Sequence, residues 1–160
     1  MANSNTRFIL MAVIGLPILI AAAVIGPTAA DLALHRRPPE RYLIPNGYTG
    51  WVRINFRQQA APTLPKENGR RVVRFDAQGT AATSSEPLAG HGSDDFFYYN
   101  GDQRTPLSNA GVCKGGMIWE TETAIDPATN APFTRFFVGT EDQYRHELDP
   151  TGSKNLPRCE

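Results

Sequence analysis

The groups most suited to catalysis in this 160-residue chain lie together in one short loop, His91-Gly92-Ser93-Asp94-Asp95. A histidine, a serine and two carboxylates are the residue types of a nucleophilic or acid–base site. Neighbours in sequence seldom converge on one substrate, and the chain has no GxSxG motif that would expose a serine nucleophile. A polar loop that leads into a strand explains the segment better. The loop therefore carries only an alternative hypothesis, a hydrolase or an enzyme accessory domain.

A second group of candidates comes from strict alternation in residues 51–57, WVRINFR. A period of two predicts a half-buried strand, with the tryptophan and both arginines on its polar face. Residues 70–75, RRVVRF, predict another strand, whose arginines extend this face if the two strands pair antiparallel. Guanidinium groups bind carboxylate or phosphate through paired hydrogen bonds, and tryptophan offers a stacking surface. The predicted ligand-binding set is Trp51, Arg53, Arg57, Arg70 and Arg74.

The same arginines have an internal alternative. Like charges that face each other on neighbouring strands destabilise a sheet, so crowded arginines need a compensating charge. Glu120 and Glu122 share one face of the strand predicted for residues 116–123 and are the internal source of that charge. Exposed ion pairs of this kind contribute little free energy. An anion-binding face and an internally neutralised face therefore both stay open.

The charge and the cysteine and histidine content exclude other classes of ligand. Sixteen Lys and Arg balance sixteen Asp and Glu, which is unlike the strongly basic composition of nucleic-acid-binding proteins. His35 and His146 lack a partner at the spacing of a metal site, and two cysteines are too few for structural zinc. Acidic residues near turns are explained by turn formation. We therefore predict no cofactor, no metal site and no nucleic-acid partner.

The amino-terminal segment indicates export. Residues 8–25 form an uncharged, apolar run of 18 positions. This length exceeds the usual apolar core of a signal peptide and just reaches that of a membrane-spanning helix. Thr28 and Ala30 permit cleavage before Asp31. Residues 1–30 are therefore a hydrophobic helix that is either a cleaved signal peptide or a signal anchor, without a cysteine for lipid attachment.

The flanking charges conflict with export. Arg36, Arg37 and Arg41 follow the apolar run, whereas only Arg7 precedes it, and the positive-inside rule would keep the domain in the cytoplasm. The early position of the segment and a cysteine pair suited to an oxidising compartment argue for export. We expect the protein at the cell envelope, on the periplasmic or extracellular side, either secreted or anchored by its N-terminal helix.

The two cysteines of the chain, Cys113 and Cys159, suit one disulfide bridge. The bridge would close a loop of about 45 residues and stabilise the fold by about 3 to 4 kcal/mol in the chain-entropy model. It would also tie residues 146–160, predicted as a C-terminal tail, to the domain. Two unpaired buried thiols are the alternative.

Short strands dominate the rest of the chain. Residues 31–41 are predicted as a linker because Pro38 and Pro39 favour an extended chain. Between residues 42 and 145, six or seven apolar segments are bounded by Gly, Pro or Asp, as in all-β domains. Only residues 141–148 suit a helical turn or two. We predict an all-β domain, a single antiparallel β-sandwich or a small barrel.

Three motifs resemble a family of bacterial exported domains of unknown function. They are IPxGYxGxVxI at residues 44–54, ENGxRVxxF at 67–75 and FFVGTxxxY at 136–144. The glycine-bounded first strand is also similar to transthyretin-like β-sandwich modules. The family resemblance implies an envelope location and no established activity, so it supplies no catalytic residues. It also implies relatives that are lipoproteins, whereas this chain lacks the lipid-bearing cysteine.

The first of these motifs has a structural interpretation. Pro45 and Gly47 shape a turn, and Gly50 admits the chain to the next strand without a side chain. We expect Tyr48 to pack on the edge of the sheet. A ligand contact is the alternative for this motif.

These patterns together favour a non-enzymatic interaction module of the cell envelope. The expected partner is an envelope protein or an anionic envelope component, with membrane contact through residues 8–25 if that segment is uncleaved. A purely structural role predicts that mutation of the arginines abolishes no interaction. A hydrolase that uses His91 and Asp95 remains the enzymatic alternative.

Overall fold

The structure, a computed structural model, describes residues 36–90 and 92–152, which contain nine strands and one helix. Residues 38–88 and 92–152 belong to one compact unit, and residues 36, 37, 89 and 90 to another, in which Arg37 Nε donates to the Gly90 carbonyl oxygen. The elements are β1 Glu40–Pro45, β2 Gly50–Asn55, β3 Lys66–Glu67, β4 Arg70–Arg74, β5 Thr80–Ala82, β6 Asp95–Asn100, β7 Gln103–Pro106, β8 Ile118–Ile125, β9 Pro132–Val138 and α1 Glu141–Leu148.

The strands form two sheets that enclose one apolar core. The five-stranded sheet has the order β3-β4-β1-β6-β7, and the four-stranded sheet has the order β5-β2-β9-β8. Alternating residues of β1, β2, β6 and β9 point inward, as period-two patterning requires. The core consists of Tyr42, Ile44, Val52, Ile54, Phe56, Val73, Phe75, Phe96, Ile118, Phe136 and Val138.

The prediction of an all-β sandwich is confirmed, and the sheets do not close into a barrel. The expectation that the strands pair only antiparallel was wrong, because β1 lies parallel to β4 and β6, and β2 lies parallel to β5. The chain changes sheet after β1, β2, β4, β5 and β7. A strand that returns to its sheet through the other layer can enter in the same direction as its neighbour, which a tight hairpin does not permit.

Helix α1 confirms the short helical segment predicted near the C-terminal end of the domain. Thr140 caps it, because its hydroxyl accepts from the Gln143 backbone N–H while the Gln143 side chain accepts from the Thr140 N–H. Strand β1 begins at Glu40, two positions inside the segment predicted as linker. The part of the chain that the structure describes contains no helix with the length and apolar character needed to cross a membrane. The apolar run at residues 8–25 lies outside the described residues.

The IPxGYxG motif builds the entry into β2. Tyr48 Oη donates to the carbonyl oxygen of Trp51 at 2.7 Å, and burial followed by the charge of Asp76 raises the pKa of this tyrosine. Gly79 is required beside it, because its φ is +74° and a Cβ there would lie 2.2 Å from Tyr48 Oη. These contacts give the motif a structural role.

Candidate ligand-binding faces

The predicted ligand-binding set is divided between two sheets. Strand β2 contains Trp51 and Arg53 and pairs with β5 and β9. Arg57 lies two positions after the end of this strand. Strand β4, with Arg70 and Arg74, pairs with β1 and β3 in the other sheet. The assumed antiparallel pairing of these two strands was therefore wrong. Its cause is the change of sheet between β2 and β3, which puts the two sets of arginines on separate surfaces.

The outer surface of the four-stranded sheet, which we call the balanced face, carries Arg53 on β2 directly opposite Arg135 on β9. Such a pair of like charges is unfavourable unless each charge is compensated. Arg53 donates to Asp126 at 2.5 Å and lies over the Phe133 ring, 3.9 Å from its centroid. The Ala128 backbone N–H, with help from Arg53, lowers the pKa of Asp126. Two nitrogens of this guanidinium thus donate within the domain, Nε to Asn55 and Nη2 to Asp126.

Arg135 is compensated in the same way. It donates to Glu122 at 2.7 Å and lies 5.0 Å from the ring of Trp51. Arg57, just beyond β2, is held by both carboxylate oxygens of Glu86. Every arginine on or beside the balanced face therefore has a carboxylate of its own.

The internal carboxylates differ from those expected. Glu122 pairs with Arg135, which was not in the predicted set, and Glu120 accepts a hydrogen bond from Tyr144. A β-bulge between Trp119 and Glu122, with Glu120 at φ +51°, separates the two glutamates in register. The sequence gives no direct signal for this bulge.

Helix α1 covers the aromatic end of the balanced face. Tyr144 stacks on Trp119 with their centroids 5.5 Å apart, and Trp51 Nε1 donates to Glu147 at 3.1 Å. Burial and the hydrogen bond to Glu120 raise the pKa of Tyr144 to about 12. Trp51, predicted as a stacking surface for a ligand, is instead engaged by α1 and Arg135.

The outer surface of the five-stranded sheet, which we call the arginine-rich face, carries three arginines around two carboxylates and a fourth, Arg74, apart from them. Glu67 of β3 accepts from Arg104 of β7 at 2.6 Å and from Arg41 of β1 at 3.3 Å. Asp95 of β6 contacts Arg70 at 2.8 Å and Arg41 at 3.6 Å. Because β3 and β7 are opposite edge strands, these ion pairs join both edges across the face.

Of the two shared carboxylates, Glu67 is strongly held in its ionised form. Hydrogen bonds from Arg104, supported by Arg41, hold the pKa of Glu67 at about 2, against an ordinary value of 4.5. The same contact raises the pKa of Arg104, with a smaller effect from Asp102. Each carboxylate is thus shared between two guanidinium groups, so the arginines remain in excess.

Arg74 is the arginine of this face without a carboxylate partner. Its guanidinium lies over the Tyr99 ring, 4.0 Å from the centroid, and the side chain is exposed. No acidic side chain among the described residues lies within ion-pair distance of it. The Nε atom of Arg41 is buried and has no hydrogen-bond partner. Arg74 therefore retains exposed donors that no described carboxylate uses, whereas the buried Arg41 Nε is not accessible to a ligand.

The loop with the catalytic residue types is only partly described. His91 lies outside the described residues, Asp94 accepts from the Glu40 backbone N–H at 2.9 Å, and Asp95 pairs with Arg70. The described residues contain no group of three or more potential metal ligands. Cys159 also lies outside them, so its bridge to Cys113 stays a prediction.

Three arginines of the two faces were missed by the sequence prediction. The alternation in FTRFFV places Arg135 between Phe133 and Phe137 on one face, which is the same signal that identified Arg53. Arg41 lies in a segment assigned to the linker, and Arg104 lies in a four-residue strand for which no prediction was made. Their convergence on Glu67 depends on tertiary structure and has no local signal.

Comparison with known proteins identifies one similar solved structure and the family of this chain. One solved structure, described as "Putative Lipoprotein from Bacillus anthracis", matches with a TM-score of 0.55 and 25% sequence identity, over 78% of this chain and 85% of that one. No curated protein matches the chain. The profile of a family described as "Family of unknown function (DUF6843)" matches residues 36–147, which is more than half of the sequence. The chain therefore belongs to this family of unknown function.

Proposed function

We propose that the protein is a non-enzymatic binding module of the cell envelope, which holds an anionic envelope component at the arginine-rich face. The observation that carries this proposal is the excess of arginine there, with three guanidinium groups sharing two carboxylates and Arg74 paired with neither of them. A phosphate or carboxylate group would supply the missing negative charge. The partner is either an anionic polymer of the envelope or an acidic strip on an envelope protein.

The position of Arg74 supports this assignment. Its guanidinium is exposed and rests on Tyr99, so its aromatic contact orients it without using its hydrogen-bond donors in an ion pair. A bound anion can accept from Arg74 without first displacing an internal carboxylate. Arg57 differs because its Nε already donates to both carboxylate oxygens of Glu86, so its charge is compensated within the domain.

The proposed location rests on two independent observations. The solved relative is described as a lipoprotein, a class of protein that is attached to membranes. The apolar run at residues 8–25 gives this chain its own means of export or anchoring without a lipid. The side of the membrane and the cleavage of residues 1–30 are part of the proposal.

The test compares Arg74→Gln with Arg57→Gln, because each removes one exposed positive charge at a predicted site residue. Polyphosphate and polyaspartate serve as phosphate and carboxylate probes, and affinity is measured by titration at fixed ionic strength. We expect Arg74→Gln to weaken binding about tenfold, the size of one charge-assisted hydrogen bond, and Arg57→Gln to leave it unchanged. The probe that responds identifies the chemistry of the anion.

Two outcomes would contradict the proposal. Equal weakening by both variants would indicate attraction to net charge alone. Binding of neither probe by the unmodified protein would remove the anion-binding function, whatever its cellular location.

A further inference from the structure

The four edge strands of the described sheets differ in how well they are protected from pairing with another chain. Strands β3 and β5 have only two and three residues, and β7 has four. Strand β8 has eight residues, contains no proline and ends at Ile125, whose side chain is 54% exposed. A long edge strand with free backbone groups is a site for strand addition.

The hydrogen bonds around β9 show which backbone groups of β8 point outward. The Asp126 N–H donates to the Ala131 carbonyl oxygen, which makes Ala124 and Glu122 the residues that bond to β9. Thr123 and Ile125 alternate with them, so their N–H and carbonyl groups point away from the sheet. No described residue accepts from or donates to these outward groups.

Strand β7 shows the protection that β8 lacks. The Leu107 N–H donates to the Phe96 carbonyl oxygen, and from this register the outward positions of β7 are Arg104 and Pro106. Proline has no N–H, so one of the two outward donors is absent there. The equivalent positions of β8 are occupied by threonine and isoleucine, which retain theirs.

We propose that β8 is the site at which a second copy of this chain adds its own β8 strand, antiparallel, with Thr123 opposite Thr123. In this register the outward groups of Thr123 pair with each other, and Ile125 lies opposite Thr121 of the second copy, where the bulge begins. The sheets then join into one eight-stranded sheet. The proposal concerns a surface separate from the arginine-rich face.

Charge selects this register from its neighbours. A shift by two residues in one direction places Glu122 opposite Glu122 of the second copy, and the opposite shift places it opposite Asp126. Both bring like charges together across the strands. In the proposed register Glu122 faces Ala124. Glu120 would face Asp126, but it lies in the β-bulge and its carboxylate accepts from Tyr144 Oη of its own copy.

Sedimentation velocity over a range of protein concentrations tests this pairing, with the protein purified in the form in which it accumulates in its host. The variant Ile125→Pro removes one outward donor of β8, and Val112→Ser removes an equally exposed apolar side chain outside any strand. We expect the unmodified protein and Val112→Ser to dimerise as the concentration rises, with Ile125→Pro at least tenfold weaker. Hydrogen exchange at Thr123 and Ile125 should slow with concentration in the unmodified protein.

Three outcomes would overturn the proposal. A protein that stays monomeric at all concentrations has no second copy at β8, even if an extended peptide occupies the edge instead. A dimer that survives Ile125→Pro uses another surface. Dimerisation without slower exchange at Thr123 and Ile125 excludes β8 as the contact.

Discussion

The two outer faces of the sandwich contain similar residues in different balance. On the balanced face, Arg53 and Arg135 each meet their own carboxylate, from Asp126 and Glu122. On the arginine-rich face, Glu67 and Asp95 are each shared, and Arg74 lies over an aromatic ring with no carboxylate partner among the described residues. The number of arginines on a strand therefore does not determine whether they are available for a ligand; the register of the acids around them does.

The largest expected effect comes from truncating a core side chain that packs between the two sheets. Phe136 is fully buried between the sheets and contacts the rings of Tyr42, Phe75 and Phe96. Phe136→Ala should lower the free energy of unfolding by about 3 to 5 kcal/mol, because it leaves a cavity in the core. Denaturant titration measures this loss. A change below about 1 kcal/mol would mean that the sheets are not packed through this residue.

The disulfide should affect the balanced face alone. Cys113 donates its backbone N–H to Glu141 at the start of α1, so the loop that carries this cysteine helps to hold the helix that covers the face. Replacement of Cys113 and Cys159 by Ser should lower the free energy of unfolding by about 3 to 4 kcal/mol and leave affinity for polyphosphate unchanged. Thermal unfolding with and without reductant provides the measurement. An unmodified protein insensitive to reductant would show that the bridge is absent.

Removing an acid from each face compares them directly. Glu67→Gln weakens the hold on both Arg41 and Arg104, whereas Glu122→Gln releases only Arg135. We expect Glu67→Gln to raise polyphosphate affinity severalfold and Glu122→Gln to change it less than twofold. Titration at one ionic strength measures both. Equal gains would indicate that the two faces are equivalent for anions.

The smallest effect is a dependence of stability on pH. Because Glu67 has a pKa lowered from 4.5 to about 2, its contribution to stability is present above pH 4.5 and is lost as the pH falls towards 2. The difference in unfolding free energy between the unmodified protein and Glu67→Gln should therefore be constant from pH 7 to 5 and disappear near pH 2. The carboxylate is partly exposed, so the difference is small. If the difference in unfolding free energy changed between pH 7 and 5, the pH dependence would belong to a group other than Glu67.

Local sequence patterns predicted the strands and failed on how they associate. Alternation identified β2 correctly, and the Gly and Pro boundaries identified an all-β sandwich. Strand order was beyond such patterns, because a parallel neighbour reached through the other sheet leaves no periodic signal. Arg53 and Arg70 were therefore placed on one surface, although they belong to different sheets.

Local patterns also predicted only part of the candidate site, because they do not show which strands are neighbours. Arg70 and Arg74 were identified from their strand, and both belong to the arginine-rich face. Arg41 comes from a segment predicted as a linker and Arg104 from a short strand that was not predicted, and both contact Glu67. Contacts between residues so distant in sequence depend on the packed fold.

The central claim is that only the arginine-rich face is available to an anion. The most direct test mutates the predicted arginines in two pairs, one pair from each sheet. The affinity for polyphosphate of Arg70→Gln/Arg74→Gln is compared with that of Arg53→Gln/Arg57→Gln, each of which removes two positive charges. We predict a loss of at least tenfold for the first pair and less than twofold for the second. Equal losses, or a larger loss from the Arg53 and Arg57 pair, would contradict the claim.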